Sequence, residues 1–169
     1  MLGFYENFPA NIHLVANFTS AMSNRQLQQR LIQVLYEANR KKFSFGEVAH
    51  PAVSDCTIIF EFGIAEATGF NYIDEEEKKK MLNATREKPF RSMDFFCAVR
   101  YYKSNQTKKT PLKFDYYMAR IIFSEENSLE LQIFHERGPR YISPEDLVAF
   151  VVNRVNEASS RKTLKRINI

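Results

Sequence analysis

Met93-Asp94-Phe95-Phe96-Cys97-Ala98-Val99-Arg100-Tyr101, Phe114-Asp115-Tyr116-Tyr117-Met118-Ala119-Arg120-Ile121-Ile122-Phe123 and Leu129-Glu130-Leu131-Gln132-Ile133-Phe134-His135-Glu136 follow one another with a period of two. In the first run Met93, Phe95, Cys97, Val99 and Tyr101 share a face. In the second, Tyr117, Ala119, Ile121 and Phe123 oppose Phe114, Tyr116, Met118 and Ile122. In the third, Leu129, Leu131, Ile133 and His135 oppose Glu130, Gln132, Phe134 and Glu136. Side chains of a strand alternate between faces, so each run reads as a strand. The connections at 103–112 and 124–128 are polar and too short for a parallel crossover, which predicts antiparallel hairpins. The second run is apolar on both sides. It reads as the central strand, covered on both faces.

Working outward, Ile12, Leu14, Ala16 and Phe18 put a strand at 11–19. Ser23-Asn24-Arg25-Gln26 is a capping box, in which the serine accepts from the third helical amide and the glutamine reaches back. Leu27, Leu31, Val34, Leu35 and Ala38 then form a helical stripe, predicting a helix over 24–41 with Arg40, Lys41 and Lys42 at its negative end. Phe43 to Gly46 reads as a short strand. Cys56, Ile58, Phe60, Phe62 and Ile64 alternate as a longer one, in which Gly63 marks a bulge or bend. Three glutamates followed by Lys78-Lys79-Lys80 predict a short, solvated helix near 74–86. Ser143 before Pro144, Glu145 and Asp146 is an N-cap, a first-turn proline and two dipole-matched acids, with Ile142 stapling onto Leu147. The helix it opens, 143–158, buries Leu147, Val151, Val155 and Ala158, widened by Val148 and Val152.

Strands without intervening helices pair antiparallel. The chain is therefore α+β: a curved antiparallel sheet of five or six strands, with the helices 24–41 and 143–158 packed on one face and the short helix to the side. This order is similar in outline to helix-grip and saddle-type folds, and an outline carries no function. At 169 residues, 44% apolar and 26% charged, one domain is expected, over residues 1–158. No run approaches the ~18–20 apolar residues of a membrane span, and no leader pattern is visible, so an intracellular, cytoplasmic protein away from membranes is expected. The three Asn-x-Ser/Thr triplets, at Asn17, Asn83 and Asn105, then have no role.

The net charge of +4 is misleading. Residues 159–169 carry Arg161, Lys162, Lys165 and Arg166 and no acid. Without those four the 24 bases fall to 20, matching the 20 acids of residues 1–158. The body is neutral and the excess belongs to a basic C-terminal tail, 159–169. Long-range attraction to nucleic acid is correspondingly weak.

Catalytic signals are sparse. The five glycines form no phosphate loop, and no His or Cys pair has a metal-ligand spacing. No cofactor is implied. Cys56 and Cys97 lie on apolar strand faces, where small hydrophobic thiols sit; a cross-strand disulfide is the other option. Glu61 and Glu66 fall on opposite faces of one strand and cannot cooperate. The polar run His135-Glu136-Arg137-Gly138-Pro139-Arg140 could supply a base and anion-binding arginines, but a strand end turning into the last helix accounts for it better.

The aromatic content, 15 Phe and 8 Tyr, is the remaining signal. Tyr101, Tyr102, Tyr116 and Tyr117 surround a hairpin with Lys103, Lys108, Lys109 and Lys113. Such a mixture serves a core, a protein interface or a single-stranded nucleic acid. The first expectation is a non-catalytic protein-interaction or assembly module, a small subunit or a homo-oligomer. The alternative is a nucleic-acid binder. The second alternative is a carrier of a small apolar ligand between sheet and helix, and an unrecognised enzyme comes last. The candidate contacts are Tyr101, Tyr102, Lys103, Lys108, Lys109, Lys113, Tyr117, Arg161, Lys162, Lys165 and Arg166.

Overall fold

The computed structural model describes residues 1–51, 53–103, 111, 113–159 and 162–167. It is mixed α+β. The elements run β1 (Leu14–Ser20), α1 (Asn24–Ala38), β2 (Lys42–Ser44), β3 (Cys56–Glu66), β4 (Gly69–Tyr72), α2 (Glu75–Glu87), β5 (Ser92–Lys103), β6 (Lys113–Phe123), β7 (Ser128–Arg137), α3 (Pro144–Glu157) and β8 (Leu164–Ile167). One antiparallel sheet holds all eight strands in the order β2-β3-β5-β6-β7-β1-β8, with β4 on the far end of β3. Five or six strands were expected. The additional ones are β4 and β8, four residues each, too short and polar to alternate visibly.

The inner face of the sheet carries the core. Phe60, Val99, Tyr117 and Ile133 all lie on it with α1 and α3 above. Cross-strand pairing sets this arrangement: Phe62 opposes Cys97, Cys97 opposes Tyr117, and Ala119 opposes Ile133. A one-residue slip would carry every one of these to the other face. α1 begins at the capping box as read, with Ser23 Oγ accepting from Gln26 N at 3.2 Å and Gln26 Oε1 accepting from Ser23 N at 3.4 Å. It stops three residues earlier than expected, where Asn39 caps it and bonds β3 and the residue that follows β4. Its amide donates to the Phe62 and Ile73 carbonyls and its oxygen accepts from Phe62 N. α2 is 13 residues long, nearly the length of the other two helices, and is anchored through buried Met81 and Thr85.

α3 starts at Ser143, whose hydroxyl accepts from Asp146 N at 3.1 Å. Its buried stripe is Leu147, Val148, Phe150 and Val155; Val151 and Val152 are half-buried and Ala158 is exposed. The expected stripe is thus rotated toward Phe150. That ring stacks on Phe60 at 4.9 Å and meets Phe43 edge-on at 5.1 Å.

The segment read as a basic tail returns to the sheet. β8 pairs with β1, Thr19 opposite Lys165 and Ser20 opposite Leu164. Leu164 and Thr163 are buried, and Asn156 of α3 holds their amides through Oδ1. Arg166 crosses to the inner side and forms a bidentate pair with Glu145, at 2.6 and 3.0 Å. Arg166 holds the Glu145 carboxyl below its ordinary range. Its contribution to anchoring β8 is therefore present above the unfolded carboxylate range and is lost as pH falls through the lowered value. The pair is half-exposed, so the energy is small. Arg166→Gln is expected to return the Glu145 titration to its ordinary position, read by carboxyl NMR.

The N-terminal arm closes part of the outer face. Gly3 N donates to the Ala65 carbonyl and Gly3 O accepts from Asp94 N, both at 2.7 Å. Beneath it Asp94 is fully buried and takes two bonds from Arg120, at 2.7 and 2.8 Å, and one from Tyr5 N at 2.7 Å. Phe4 and Phe8 lie against the guanidinium. Among the described residues no helix is long and apolar enough to cross a membrane.

Candidate functional site

The expected contact residues do not form one surface. Tyr101 and Tyr117 are buried on the inner face, which removes them as stacking plates. Their hydroxyls are spoken for. Tyr101 Oη donates to Asp115 at 2.6 Å and Tyr117 Oη donates to the Ile142 carbonyl at 2.5 Å. Burial raises both phenol pKa values. Tyr102 is half-buried on the outer face, where its hydroxyl accepts from Arg100 at 3.2 Å. Lys103 and Lys113 are exposed at the hairpin end of β5 and β6 on the inner side, opposite Cys56 and Tyr101. Lys108, Lys109 and Arg161 lie outside the described residues. Lys162 is exposed, Lys165 sits on the outer face, and Arg166 is paired on the inner side. Lys165 is level with the other end of the strands, ten residues along β6 from Lys113, or roughly 35 Å.

The run 135–140 is a structural clamp around a buried aspartate. Asp115 Oδ1 accepts from Arg140 N at 2.7 Å and lies 2.8 Å from His135 Nε2. Oδ2 accepts from Tyr101 Oη and from Tyr141 N at 3.0 Å. Four partners meet the carboxylate's capacity of about four lone pairs. His135 N in turn donates to His13 Nδ1 at 2.9 Å. Gly138 makes the turn possible. Its φ is +112°, and a Cβ there would land on Asp115 Oδ1 and the Phe114 carbonyl. Gly138→Ala is expected to lower stability by about 2 kcal/mol or more, from positive-φ strain and overlap, measured by chemical denaturation.

A β-bulge at the same place reshapes the outer face. Tyr116 opposes Arg137 while Tyr117 opposes His135, so Glu136 is extra. By simple alternation Arg137 would share the inner face with His135. The bulge turns it outward, its guanidinium 4.7 Å from the Tyr116 ring centre.

Around Tyr116 lies an apolar row that alternation alone did not single out as a surface. Phe70, Phe96, Tyr116 and Phe114 follow one another across β4, β5 and β6, with ring centres 5.3, 5.8 and 6.2 Å apart. Met118 sits directly between Phe96 and Phe134, and Phe134 stacks on His13 at 4.8 Å. β6 is therefore central, as expected, and its outer face is covered only in part: Met118 is buried and Tyr116 half-buried. Phe114 is 39% exposed, Ile122 38% and, on β1, Val15 47%. The Arg100–Glu61 pair, at 2.7 Å, and Arg137 border the row.

Both cysteines are free. They share the inner side but are six strand positions apart, about 20 Å, which excludes a disulfide in this register. Burial pushes both thiols up, Cys97 most strongly. Native Cys97 is expected to resist iodoacetamide completely and Cys56 to react slowly, compared by mass spectrometry with the unfolded chain. Glu61 and Glu66 are engaged separately, by Arg100 and by Lys80. Among the described residues no three His, Cys, Asp or Glu side chains are grouped to hold a metal ion.

Between the inner face, α1 and α3 the free space is about 30 Å³, lined by Leu35, Phe95, Leu147 and neighbours. A second void of about 20 Å³ lies between Leu27, Ile121 and Val155, and both are far below the ~300 Å³ of a small-molecule site. Comparison with known proteins found no matching family model, no matching curated protein and no matching solved structure.

Proposed function

We propose that this chain is a non-catalytic interaction module that binds a protein partner through the outer face of its sheet, a second copy being the first partner to test. The observation that carries this is the partly exposed aromatic row Phe70–Phe96–Tyr116–Phe114, capped at one end by Tyr5 on Phe70 and open at the other at Phe114, flanked by Phe134 and edged by Arg100 and Arg137. Aromatic and arginine side chains at the centre, with paired charges at the rim, are the composition of protein interfaces. The nucleic-acid alternative has less support, because the described cations are split between two faces and two ends of the sheet.

The test is sedimentation of the purified chain over a range of concentrations, together with size fractionation of the native extract, for wild type and Phe114→Lys/Phe134→Lys. Both rings lie on the outer face, and thermal melting checks that the variant stays folded after giving up the Phe134–His13 stack. The expected result is a larger species that the variant loses. A monomer in both settings, or a complex indifferent to the substitutions, overturns the proposal. A complex that disappears on nuclease treatment would instead favour the nucleic-acid alternative.

A further inference from the structure

One row on the outer face of the sheet ends in opposite charges. Glu61 of β3 pairs with Ala98 of β5, Ala98 with Tyr116 of β6, and Tyr116 with Arg137 of β7. Neighbouring strands lie about 4.8 Å apart, so the acid and the base are attached about 14 Å apart along the row. Between them stand one small and one large side chain. Arg137 is exposed, rests over the Tyr116 ring at 4.7 Å, and has no carboxylate partner among the described residues. Glu61 meets Arg100 at 2.7 Å through Oε1, and its side chain stays 41% exposed. Its other oxygen has no bond among the described residues. One level along the strands, Phe96 pairs with Met118 and Met118 with Phe134.

A row of acid, small, large and base complements itself. Two such sheets packed face to face with aligned strands are related by a two-fold axis either across the strands or along them. An axis across the strands, lying on this row, sets Glu61 against Glu61 and Arg137 against Arg137 of the second copy. An axis along the strands, between β5 and β6, sets Glu61 against Arg137 of the second copy, and Ala98 against Tyr116. On the next level Phe96 then meets Met118. Like charges opposed across a contact disfavour the first arrangement. We infer that the outer face binds a second copy of this chain about a two-fold axis running along β5 and β6, with Glu61 and Arg137 paired twice. The inference rests on the interface reading above and supplies its partner and symmetry. The patch spans four strands and about three outward rows, roughly 20 Å each way, or on the order of 400 Å² per copy. A standard interface uses about 800 Å² per partner, so a reversible dimer that dissociates in the micromolar range is expected.

The test is sedimentation of the full chain up to about 500 µM, for wild type, Glu61→Arg, Arg137→Glu and an equimolar mixture of the two variants. Wild type is expected to dimerise. Each variant alone opposes like charges twice and should dimerise about tenfold more weakly or worse. The mixture restores both opposite-charge pairs across the axis and should regain the wild-type affinity to within a few-fold. Thermal melting checks each variant. Arg137→Glu breaks no ion pair within the described chain, so its loss of dimer stands alone as the test should Glu61→Arg melt early. A monomeric wild type, variants that dimerise as wild type does, or a mixture no tighter than its components overturns the inference. Phe114→Lys/Phe134→Lys judges the interface reading separately. A dimer, or a larger species in native extract, that only this variant loses keeps the outer face as an interface and rejects the two-fold axis. A dimer indifferent to all the variants overturns both.

Discussion

Val155→Asp is expected to leave the protein largely unfolded at room temperature. Val155 is 0% exposed on the inner side of α3 and has only apolar neighbours in the core cluster, Leu164 of β8 among those lining the same small void. A carboxylate placed there is desolvated. The cost is about 5 kcal/mol or more, comparable with the whole stability of a domain. Val151→Asp, one turn earlier, should cost less, because Val151, though packed against the same core, is only half-buried. The pair of variants therefore reads the helix's rotation directly. Chemical denaturation should rank Val155→Asp below Val151→Asp, and equal losses would contradict the observed stripe.

Asp115→Ala is expected to lower stability by about 3–5 kcal/mol, or a melting temperature by about 10 °C or more. The loss is not that of one bond. Removing the carboxylate strands the buried Tyr101 hydroxyl and His135 Nε2 and unpairs two part-buried backbone amides, at Arg140 and Tyr141. It also frees the turn that delivers Ile142 and Ser143 to start α3. Asp115→Asn keeps the volume and one acceptor oxygen, so it should fall between wild type and alanine. Calorimetric melting of the three proteins checks the order. An alanine variant that melts with wild type would mean the four contacts do not act together.

These two positions mark the boundary of what could be read from the chain. Strands β3, β5, β6 and β7 were legible because alternation is a local property, and each was long enough to show it. Their limits moved by one or two residues at most. The starts of α1 and α3 were legible for the same reason: a capping serine acts on an amide three residues away, so Ser23 and Ser143 announce helices without help from the fold. The inner and outer faces of β6 were separated correctly. Which face would remain open could not be read, because both are apolar and the helices that choose between them come from distant sequence.

The candidate contacts fared differently. Tyr101, Tyr116 and Tyr117 look alike in a list of aromatic residues. One strand position decides that Tyr117 lies at 0% exposure beneath α3 while Tyr116 lies outside beside Arg137, and the bulge at Glu136 decides where Arg137 goes. Likewise four bases without an acid read as a free tail. Only pairing with β1 shows that Leu164 is core, that Arg166 answers Glu145 and that Lys165 faces the other way.

By itself, then, the sequence determined the elements and the α+β class, since hydrophobic period, caps and short connections are interactions within a few residues. The tertiary structure decided the edges of the sheet, the partners of Asp94, Asp115 and Asn39, and which aromatics meet solvent. The polar partnerships join groups 14 to 89 residues apart, as with Tyr101 and Asp115 or Tyr5 and Asp94, and the edge strand β8 pairs with β1 across almost the whole chain. A buried polar group is stable only when such a distant partner arrives, and nothing in its immediate neighbours says which one will.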